Sequence, residues 1–317
     1  QEPVPTPLIH PARSRLSSPL GGLRRMASSG RLTEAAMIAP FLTFFLLFTI
    51  LPVAAAIVLS LTDFDMIRMP RFIGFENYVR LFIEDDVYLI AVKNTLVFAM
   101  ITGPLSYFAC LVFAWLINEL RPGIRSVMTL LFYAPSIAGN VFFIWIFIFS
   151  GDANGLVNST LLRLGILQDA VKWLTDPRYS LAIIILVQLW LSLGVGFLSF
   201  IAGLQSIDPS LYEAGAIDGI RNRFQEFVKL TMPSMGPMLM FGAVMQIAVS
   251  FGVSNVCSAL AGFPSTDYAA HTIVLHMQDY GTLRFEMGYA SAIATLLFLT
   301  MLLLKRGISK ILSRYAA

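Results

Sequence analysis

Residues 210–237 read SLYEAGAIDGIRNRFQEFVKLTMPSMGP and form a charged, amphipathic segment between two long apolar runs. Just upstream, Asp208 can cap a helix that has Pro209 at its first position. Alternatively, Ser210 can cap the helix, with Glu213 three residues on as in a capping box. With either residue as the N-cap, the sequence predicts a short helix that follows directly on the preceding apolar run.

The middle of this segment holds three consecutive very small residues, Ala214-Gly215-Ala216. Small residues let another backbone approach closely. Asp218-Gly219 predicts a turn, a second helix is expected at about residues 221–231, and Pro233 is expected to end it. The alternative is an ordinary amphipathic helix on a lipid surface, but such a helix does not need three tiny side chains beside a carboxylate.

The composition indicates an integral membrane protein. Of 317 residues, 57% are hydrophobic and 13% are charged, whereas about 25% are charged in a soluble domain. Cys110 and Cys257 lie in apolar surroundings and are interpreted as small buried side chains. Neither the cysteines nor His271 and His276 have the spacing of a metal site, so no metal is expected.

Six charge-free runs predict six transmembrane helices, since a helix needs about 20 apolar residues to cross the hydrocarbon. The runs are Met37–Leu61, Asn94–Asn118, Ser126–Gly151, Tyr179–Ile207, Leu230–Thr266 and Met287–Leu304. The fifth run is too long for one span, and its span is expected at about residues 237–258. Pro135-Ser136 and Gly139 predict a break in the third span, and Gly194-Val195-Gly196 predicts close helix packing or a bend.

The distribution of lysine and arginine predicts the orientation of these spans. The side that holds both termini carries 14 of the 22 basic residues, and the opposite side carries eight. Both termini and the segment 208–233 are therefore expected in the cytoplasm. The predicted organisation is a basic tail over 1–35, a six-helix domain over 36–310 and a C-terminal tail over 311–317.

The opposite face carries 12 of the 19 carboxylates, including the run Glu84-Asp85-Asp86. Two interpretations stay open for this acidic face. It is either a surface that meets a protein partner or the solvated rim of a loop.

Several motifs resemble one family of membrane proteins. The pattern Glu213-Ala214-Gly215, with Gly219 four residues further on, continues with Leu230, Pro233 and Pro237. It resembles the EAA loop of permease subunits of binding-protein-dependent ABC importers, in the variant of the carbohydrate branch of maltose and glycerol-phosphate type. Supporting matches are Gly74-Phe75-Glu76-Asn77-Tyr78, Asn94-Thr95-Leu96, Asn154-Gly155-Leu156-Val157-Asn158 and Gly288-Tyr289-Ala290-Ser291-Ala292. Gly215 and Ile220 depart from the family, which usually has alanine there.

The resemblance implies an all-α, six-span permease of the type I importer fold in a bacterial inner membrane, with a cytoplasmic coupling helix between spans four and five. It implies that an ATPase dimer contacts Glu213, Ala214, Gly215, Asp218, Gly219 and Pro233. The other implied partners are a second related permease, an external solute-binding protein, the lipid bilayer and a sugar, expected to be an oligosaccharide. No nucleic-acid partner is expected.

The chain lacks a G-x-x-x-x-G-K-[ST] loop, so it is not expected to be an enzyme. ATP and magnesium are expected to be bound by the partner ATPase, and no cofactor is expected in this chain.

Neutral polar side chains within the predicted spans suggest a path for a polyhydroxylated solute, because polar groups at membrane depth are costly unless used or paired. The candidates are Asn140, Gln188, Trp190, Ser192, Gln246, Ser250 and Asn255, with Ser254, Tyr107 and Trp145 as further possibilities. For each of them, hydrogen bonding and packing between helices is the alternative.

Two other functions are compatible with a chain of this composition. A secondary transporter needs charged or ion-binding positions inside the spans, and none of the spans has a charged residue at its centre. A non-transporting membrane assembly factor needs no ATPase, so copurification of an ATPase distinguishes it from an importer subunit.

Overall fold

The computed structural model describes residues 31–312, with side chains described for residues 34–311. All regular structure in this part of the chain is helical, apart from an isolated bridge between Thr62 and Phe72. The predicted all-α class is confirmed. Most of the predicted tail 1–35 and residues 313–317 lie outside the described residues.

The first apolar run folds as a continuous helical rod. It consists of α1 (Arg31–Phe45), a π-helical turn (Leu46–Ile50) and α2 (Leu51–Leu59). The N–H of Leu51 donates to the carbonyl of Leu46, and this wider turn comes just before Pro52, which has no N–H to donate. Of the described residues, those up to Ala55 form one compact unit, and those from Ala56 onward form a second.

The second unit contains the remaining helices, which alternate between long apolar segments and short polar ones. They are α3 (Glu76–Ile83), α4 (Asp86–Asn118), α5 (Pro122–Ile137), α6 (Phe143–Ile148), α7 (Leu156–Arg163), α8 (Ser180–Leu191), α9 (Val195–Gln205), α10 (Pro209–Ile217), α11 (Arg223–Glu226), α12 (Met232–Ser234), α13 (Gly236–Phe251), α14 (Asn255–Ala261), α15 (Ile273–Gln278) and α16 (Met287–Leu312), with π-helical turns at Phe227–Thr231 and Asp279–Leu283 and a 3₁₀ turn at Thr266–Tyr268. Their up-and-down order places the loops around α3, α7 and α15 at one end, the predicted outer end. Helix α10 lies at the other, the predicted cytoplasmic end.

Five helical segments of the described chain are long and apolar enough to cross a membrane. They are Glu34–Leu59, Asp86–Asn118, Ser180–Gln205, Gly236–Ala261 and Met287–Ile311. They correspond to the predicted spans one, two, four, five and six. The second begins eight residues before the predicted run, because Asp85 caps it by accepting a hydrogen bond from the N–H of Tyr88.

The predicted third span is not one helix. Helix α5 ends at Ile137, two residues after Pro135, and Gly139 adopts a φ of +60°. The chain resumes a helix only at α6. The predicted break is confirmed, and a single uninterrupted third span is not present in the described structure.

Helix α4 contributes to all three hydrophobic cores of the second unit. Tyr88 and Phe98 belong to two cores that both include residues of the predicted outer loops, and Cys110 belongs to the core nearest α10. With 33 residues, α4 is about 50 Å long. Cys110 and Cys257 are both buried and unpaired, as expected.

Glycines bring α9 and α13 into close contact. A Cβ on Gly242 would lie 2.4 Å from Cζ of Phe200, whereas a Cβ on Gly196 would lie 3.8 Å from the Cα of Gly242. The Phe200 ring must therefore shift if Gly242 carries a side chain, while Gly196 has room for a methyl group. The close packing predicted from Gly194-Val195-Gly196 is confirmed, and so is the bend, since the helix stops and restarts between α8 and α9.

Asparagine side chains hold the loops at the predicted outer end. Asn77 donates to the carbonyl of Thr62, and Asn94 donates to the carbonyl of His271. Asn158 is fully buried and accepts a hydrogen bond from Trp173 Nε1. Each of these asparagines belongs to one of the short motifs singled out above, so the motifs fix loop geometry.

Candidate functional site

Helix α10 begins as the first of the two predicted starts requires. Asp208 is the N-cap, and its side chain accepts a hydrogen bond of 2.9 Å from the N–H of Ser210. This bond lowers the pKa of the Asp208 carboxyl. Pro209 occupies the first turn, where an N–H has no partner in the helix. The alternative cap is wrong, because Ser210 lies inside the helix.

The C-terminus of α10 is closed by a Schellman motif. The N–H of Ile220 donates to the carbonyl of Gly215, and the N–H of Gly219 donates to the carbonyl of Ala216. Gly219 has a φ of +89°, in the left-handed region that favours glycine. The predicted Asp218-Gly219 turn is confirmed, and α10 is capped at both ends.

One face of α10 is exposed, and the other rests on the next helical segment, which runs from α11 to α12 and is called the α11–α12 segment below. Glu213, Ala214 and Ile217 are exposed, with Ile217 at 88% of its full accessibility. Gly215 is buried, and a Cβ there would lie 2.5 Å from Cδ1 of Leu230. Gly215 thus makes room for Leu230.

The second helix of the segment is longer than predicted. Asn222 caps α11, and the helical path continues through the π-helical turn Phe227–Thr231 into α12. The expectation that Pro233 ends the helix is wrong. The N–H of Met232 donates to the carbonyl of Phe227, and this wider turn accommodates the proline, so the break comes at Met235.

The α11–α12 segment is attached to the end of α4. The ring of Phe227 packs on Trp115, with 4.7 Å between centroids. Arg223 lies 3.5 Å from a carboxylate oxygen of Glu119 and donates to Glu226 at 2.9 Å. Within the described part of the chain, Glu213 makes no ion pair or hydrogen bond, so α10 presents an unpaired carboxylate on a firmly held support.

Five of the predicted solute-path residues line two neighbouring cavities, each of about 260 Å³. Gln188, Ser254 and Asn255 line one, Ser192 and Gln246 line the other, and Val249 borders both. The cavities lie where α8 gives way to α9 and where α13 gives way to α14. Irregular backbone at membrane depth is tolerated only where it is buried or lines a cavity.

The hydrogen bonds of these residues distinguish the candidates. The Oγ of Ser192 donates to the carbonyl of Leu189 and is therefore satisfied. Gln246 Nε2 and Ser250 Oγ are buried and make no hydrogen bond within the described chain. Buried polar atoms are nearly always paired, and Gln246 lines one of the cavities, so its Nε2 is a candidate to meet a solute or water. Ser250 lines neither cavity, and its Oγ lies toward Gly103 of α4.

The remaining candidates are placed differently. Asn140 is exposed in the break between α5 and α6. Trp190 packs edge-to-face on Trp145, with 5.5 Å between centroids. Tyr107 donates to the carbonyl of Leu239 and packs on a phenylalanine ring, which matches the interhelical alternative.

A buried polar network at the predicted outer end was missed by the sequence analysis. Asp85 accepts hydrogen bonds from Tyr289 Oη at 2.6 Å and from His276 Nε2 at 3.0 Å. His276 Nδ1 lies 3.2 Å from Nε2 of His271. Both open interpretations of the Glu84-Asp85-Asp86 run are therefore wrong for Asp85, whose side chain is 8% exposed. The one available signal was its position as a helix cap.

Residues 108–315 match the family described as binding-protein-dependent transport system inner membrane component. The chain belongs to this family of membrane permeases.

Several curated relatives align over most of the chain. A probable ABC transporter permease protein, YesP of Bacillus subtilis, is 33% identical over 85% of this chain and 87% of its own length. The lactose transport system permease LacF of Rhizobium radiobacter is 29% identical over 84% of this chain and 89% of its own. The arabinooligosaccharides transport system permease AraP of B. subtilis is 27% identical over 95% and 94%.

Two solved structures share the fold. A bacterial ABC transporter that imports the acidic polysaccharide alginate matches with a TM-score of 0.71 and 25% identity, over 91% of this chain and 98% of that one. An alginate ABC transporter in complex with an alginate pentasaccharide-bound periplasmic protein matches with a TM-score of 0.74 and 23% identity, over 96% and 99%. The chain is thus a multi-pass permease of a sugar ABC importer.

Proposed function

We propose that this permease couples to a cytoplasmic ATPase through α10 and forms half of the path by which an oligosaccharide enters the cell. The observation that carries the proposal is the presentation of α10. The helix is capped at both ends, and its Glu213 and Ile217 are exposed. Its inner face rests on the α11–α12 segment, which is attached to α4. A rigid, exposed helix at the end of a bundle is suited to receive force from a partner.

The contact with the ATPase uses a charge and a small-residue surface together. Glu213 meets basic groups of the partner, and Ala214 allows the two backbones to approach closely. Gly215, Gly219 and Pro233 shape the support behind this face, and Asp218 belongs to the turn. ATP and magnesium are bound by the ATPase, and both termini of this chain lie on its side of the membrane.

The solute is an oligosaccharide that an external solute-binding protein delivers. Three observations support this: the neutral amides and hydroxyls along the two cavities, the names of relatives that carry lactose and arabinooligosaccharides, and a structural relative bound to a periplasmic protein. A second, related permease supplies the other half of the path. Gln188, Gln246 and Asn255, which line the two cavities, contact the solute.

The test uses the complex purified through a tag on this chain and rebuilt into proteoliposomes. Wild-type chain is expected to bring down an ATPase and to support sugar uptake that depends on ATP. Glu213→Lys reverses the charge of the exposed face, and Gly219→Pro imposes a φ near −65° where the turn needs +89°. Both variants are expected to lose at least about 10-fold in uptake per ATP hydrolysed while still inserting in the membrane.

The matched control is Asp169→Lys, which reverses an exposed carboxylate at the opposite end of the molecule. It should retain the ATPase. Normal coupled uptake by both α10 variants would refute the proposal. Uptake without ATP, or purification of the wild-type chain with no ATPase, would favour a secondary transporter or an assembly factor instead.

A further inference from the structure

Helix α3 has two unlike faces, and the exposed one is apolar. Its inner face packs on the protein through Asn77 and Leu81, which are both buried. The exposed face carries large apolar side chains at helical spacing, and these are Phe75, Val79, Phe82 and Ile83. Within the described part of the chain nothing covers them, and a contiguous exposed apolar patch marks a surface that meets another apolar phase or a partner.

The loop before α3 presents further apolar side chains. The 62–72 loop is closed by an antiparallel bridge between its two ends. Asp63 holds the loop in shape, because it accepts hydrogen bonds from the N–H of Arg71 at 2.9 Å and from the guanidinium of Arg71 at 2.8 Å. At the tip, Ile67 and Met69 are 88% and 87% exposed. The loop and α3 thus place two sets of exposed apolar side chains next to each other in the sequence.

The inner face of α3 fixes its height relative to the first span. Asn77 Nδ2 donates to the carbonyls of Ser60 and Thr62, both at 2.9 Å, and Tyr78 Oη donates to Ser60 Oγ at 2.7 Å. The apolar helix Glu34–Leu59 ends one residue before Ser60. Helix α3 is therefore tied to the point at which the first span leaves the hydrocarbon.

The length of α4 places α3 at the same height. At about 50 Å, α4 exceeds the hydrocarbon thickness of about 30 Å and is close to that of a bilayer with its headgroups, about 40–45 Å. Its charge-free run starts only at Asn94, so its first two turns, from Asp86 onward, lie among the headgroups. Only Glu84 and Asp85 separate α3 from α4. Two independent connections therefore hold α3 at the depth of the headgroups.

The charge of this region decides what kind of lipid contact it makes. Residues 60–90 contain six carboxylates and three arginines, namely Asp63, Asp65, Glu76, Glu84, Asp85 and Asp86 with Arg68, Arg71 and Arg80. Two of the arginines already form ion pairs, Arg71 with Asp63 and Arg80 with Glu286. A region with more carboxylates than cations does not attract anionic headgroups, so a lipid contact here depends on apolar area.

We infer that α3 and the 62–72 loop form an interfacial anchor, whose exposed apolar side chains insert into the lipid at the predicted outer surface of the membrane. A helix of this kind buries its apolar face about 5–10 Å into the boundary between headgroups and acyl chains. The inference concerns lipid contact alone. Its failure leaves the coupling to an ATPase and the import of a sugar untouched.

The experiment reads the surroundings of single positions in the complex, held in lipid nanodiscs. Val79→Cys and Ile67→Cys are each labelled with a fluorophore, and the labelled wild type is the blank, since Cys110 and Cys257 are buried. Asp169→Cys, at an exposed position in the loop before α8, is the matched control. Lipids that carry a nitroxide near the headgroup are expected to quench the labels at 79 and 67 at least about twofold more strongly than the label at 169. Aqueous iodide should show the reverse order.

Other covers of this face give different results, and each overturns the inference. If a second permease covers it, the labels are shielded from iodide and from the nitroxide lipids alike. If the external solute-binding protein covers it, iodide quenches all three labels equally until that protein is added.

The lipid composition tests the apolar character of the contact. The quenching by nitroxide lipids is expected to be the same with and without phosphatidylglycerol, and quenching that requires phosphatidylglycerol would overturn the inference. Unfolding midpoints verify that the variants fold. If Val79→Cys does not fold, Ile67→Cys decides alone, because its side chain lies at an exposed loop tip.

Discussion

Replacing Asp85 by alanine removes the acceptor that joins three segments at the predicted outer end. The carboxylate accepts from the N–H of Tyr88 at the start of α4, from His276 in α15 and from Tyr289 in α16. All three donors are buried. The variant leaves them unpaired, and it also removes the N-cap of α4, the longest helix in the described part of the chain.

The expected cost follows from these contacts. A hydrogen bond to a charged group contributes about 1.5–3 kcal/mol, and loss of an aspartate cap costs about 1 kcal/mol. The bonds share one acceptor and are not additive, so we expect a total loss of about 4 kcal/mol. At about 2 °C per kcal/mol, the unfolding midpoint falls by about 8 °C.

The assay is thermal unfolding of the detergent-purified complex, followed by intrinsic fluorescence and by loss of the monodisperse peak. Asp86→Ala is the matched control, since Asp86 is the exposed neighbour in the first turn of the same helix. Asp86→Ala should shift the midpoint by no more than about 2 °C. If the two variants unfold at the same temperature, the Asp85 network does not hold the loops together.

Two further predictions concern pH and packing. Burial, with a smaller contribution from His276, lowers the pKa of His271 to about 4. Between pH 6.5 and 4 the unfolded chain therefore binds a proton that the folded chain does not, so stability should fall as the pH is lowered through this window. His271→Gln should weaken this pH dependence of the unfolding midpoint, and an unchanged dependence would contradict the prediction. Gly242→Ala places a methyl group against the Phe200 ring and should destabilise the protein by about 1–3 kcal/mol in the same assay. Gly196→Ala meets no such obstacle and should leave the stability nearly unchanged. Equal losses of stability in the two variants would show that packing does not distinguish the two glycines.

Much of the fold could be predicted because it depends on properties local to the sequence. The five continuous spans follow from hydropathy, and the start and end of α10 follow from Asp208, Pro209 and Gly219, whose backbone preferences act over a few residues. The break after Pro135 was also predictable, since a proline followed by a glycine weakens a helix wherever it occurs.

The remainder depends on contacts between segments far apart in sequence. Pro233 sits within a helical path because a π-helical turn comes before it, and nothing in the local sequence specifies that turn. The local sequence places Asp85 in an acidic surface, because its partners His276 and Tyr289 lie about 200 residues away along the chain. Similarly, the placement of Gly196 and Gln246 along one cavity depends on how α9 and α13 pack.

The length of α4 has a mechanical consequence. At its start, Asp85 forms hydrogen bonds with residues of α15 and α16. Near its end, Trp115 packs on Phe227 of the α11–α12 segment. One helix therefore connects the loops of the predicted outer end with the segment beside α10. Pro104 lies near the middle of this helix and has no N–H to donate, so any bend along the connection is expected to fall there.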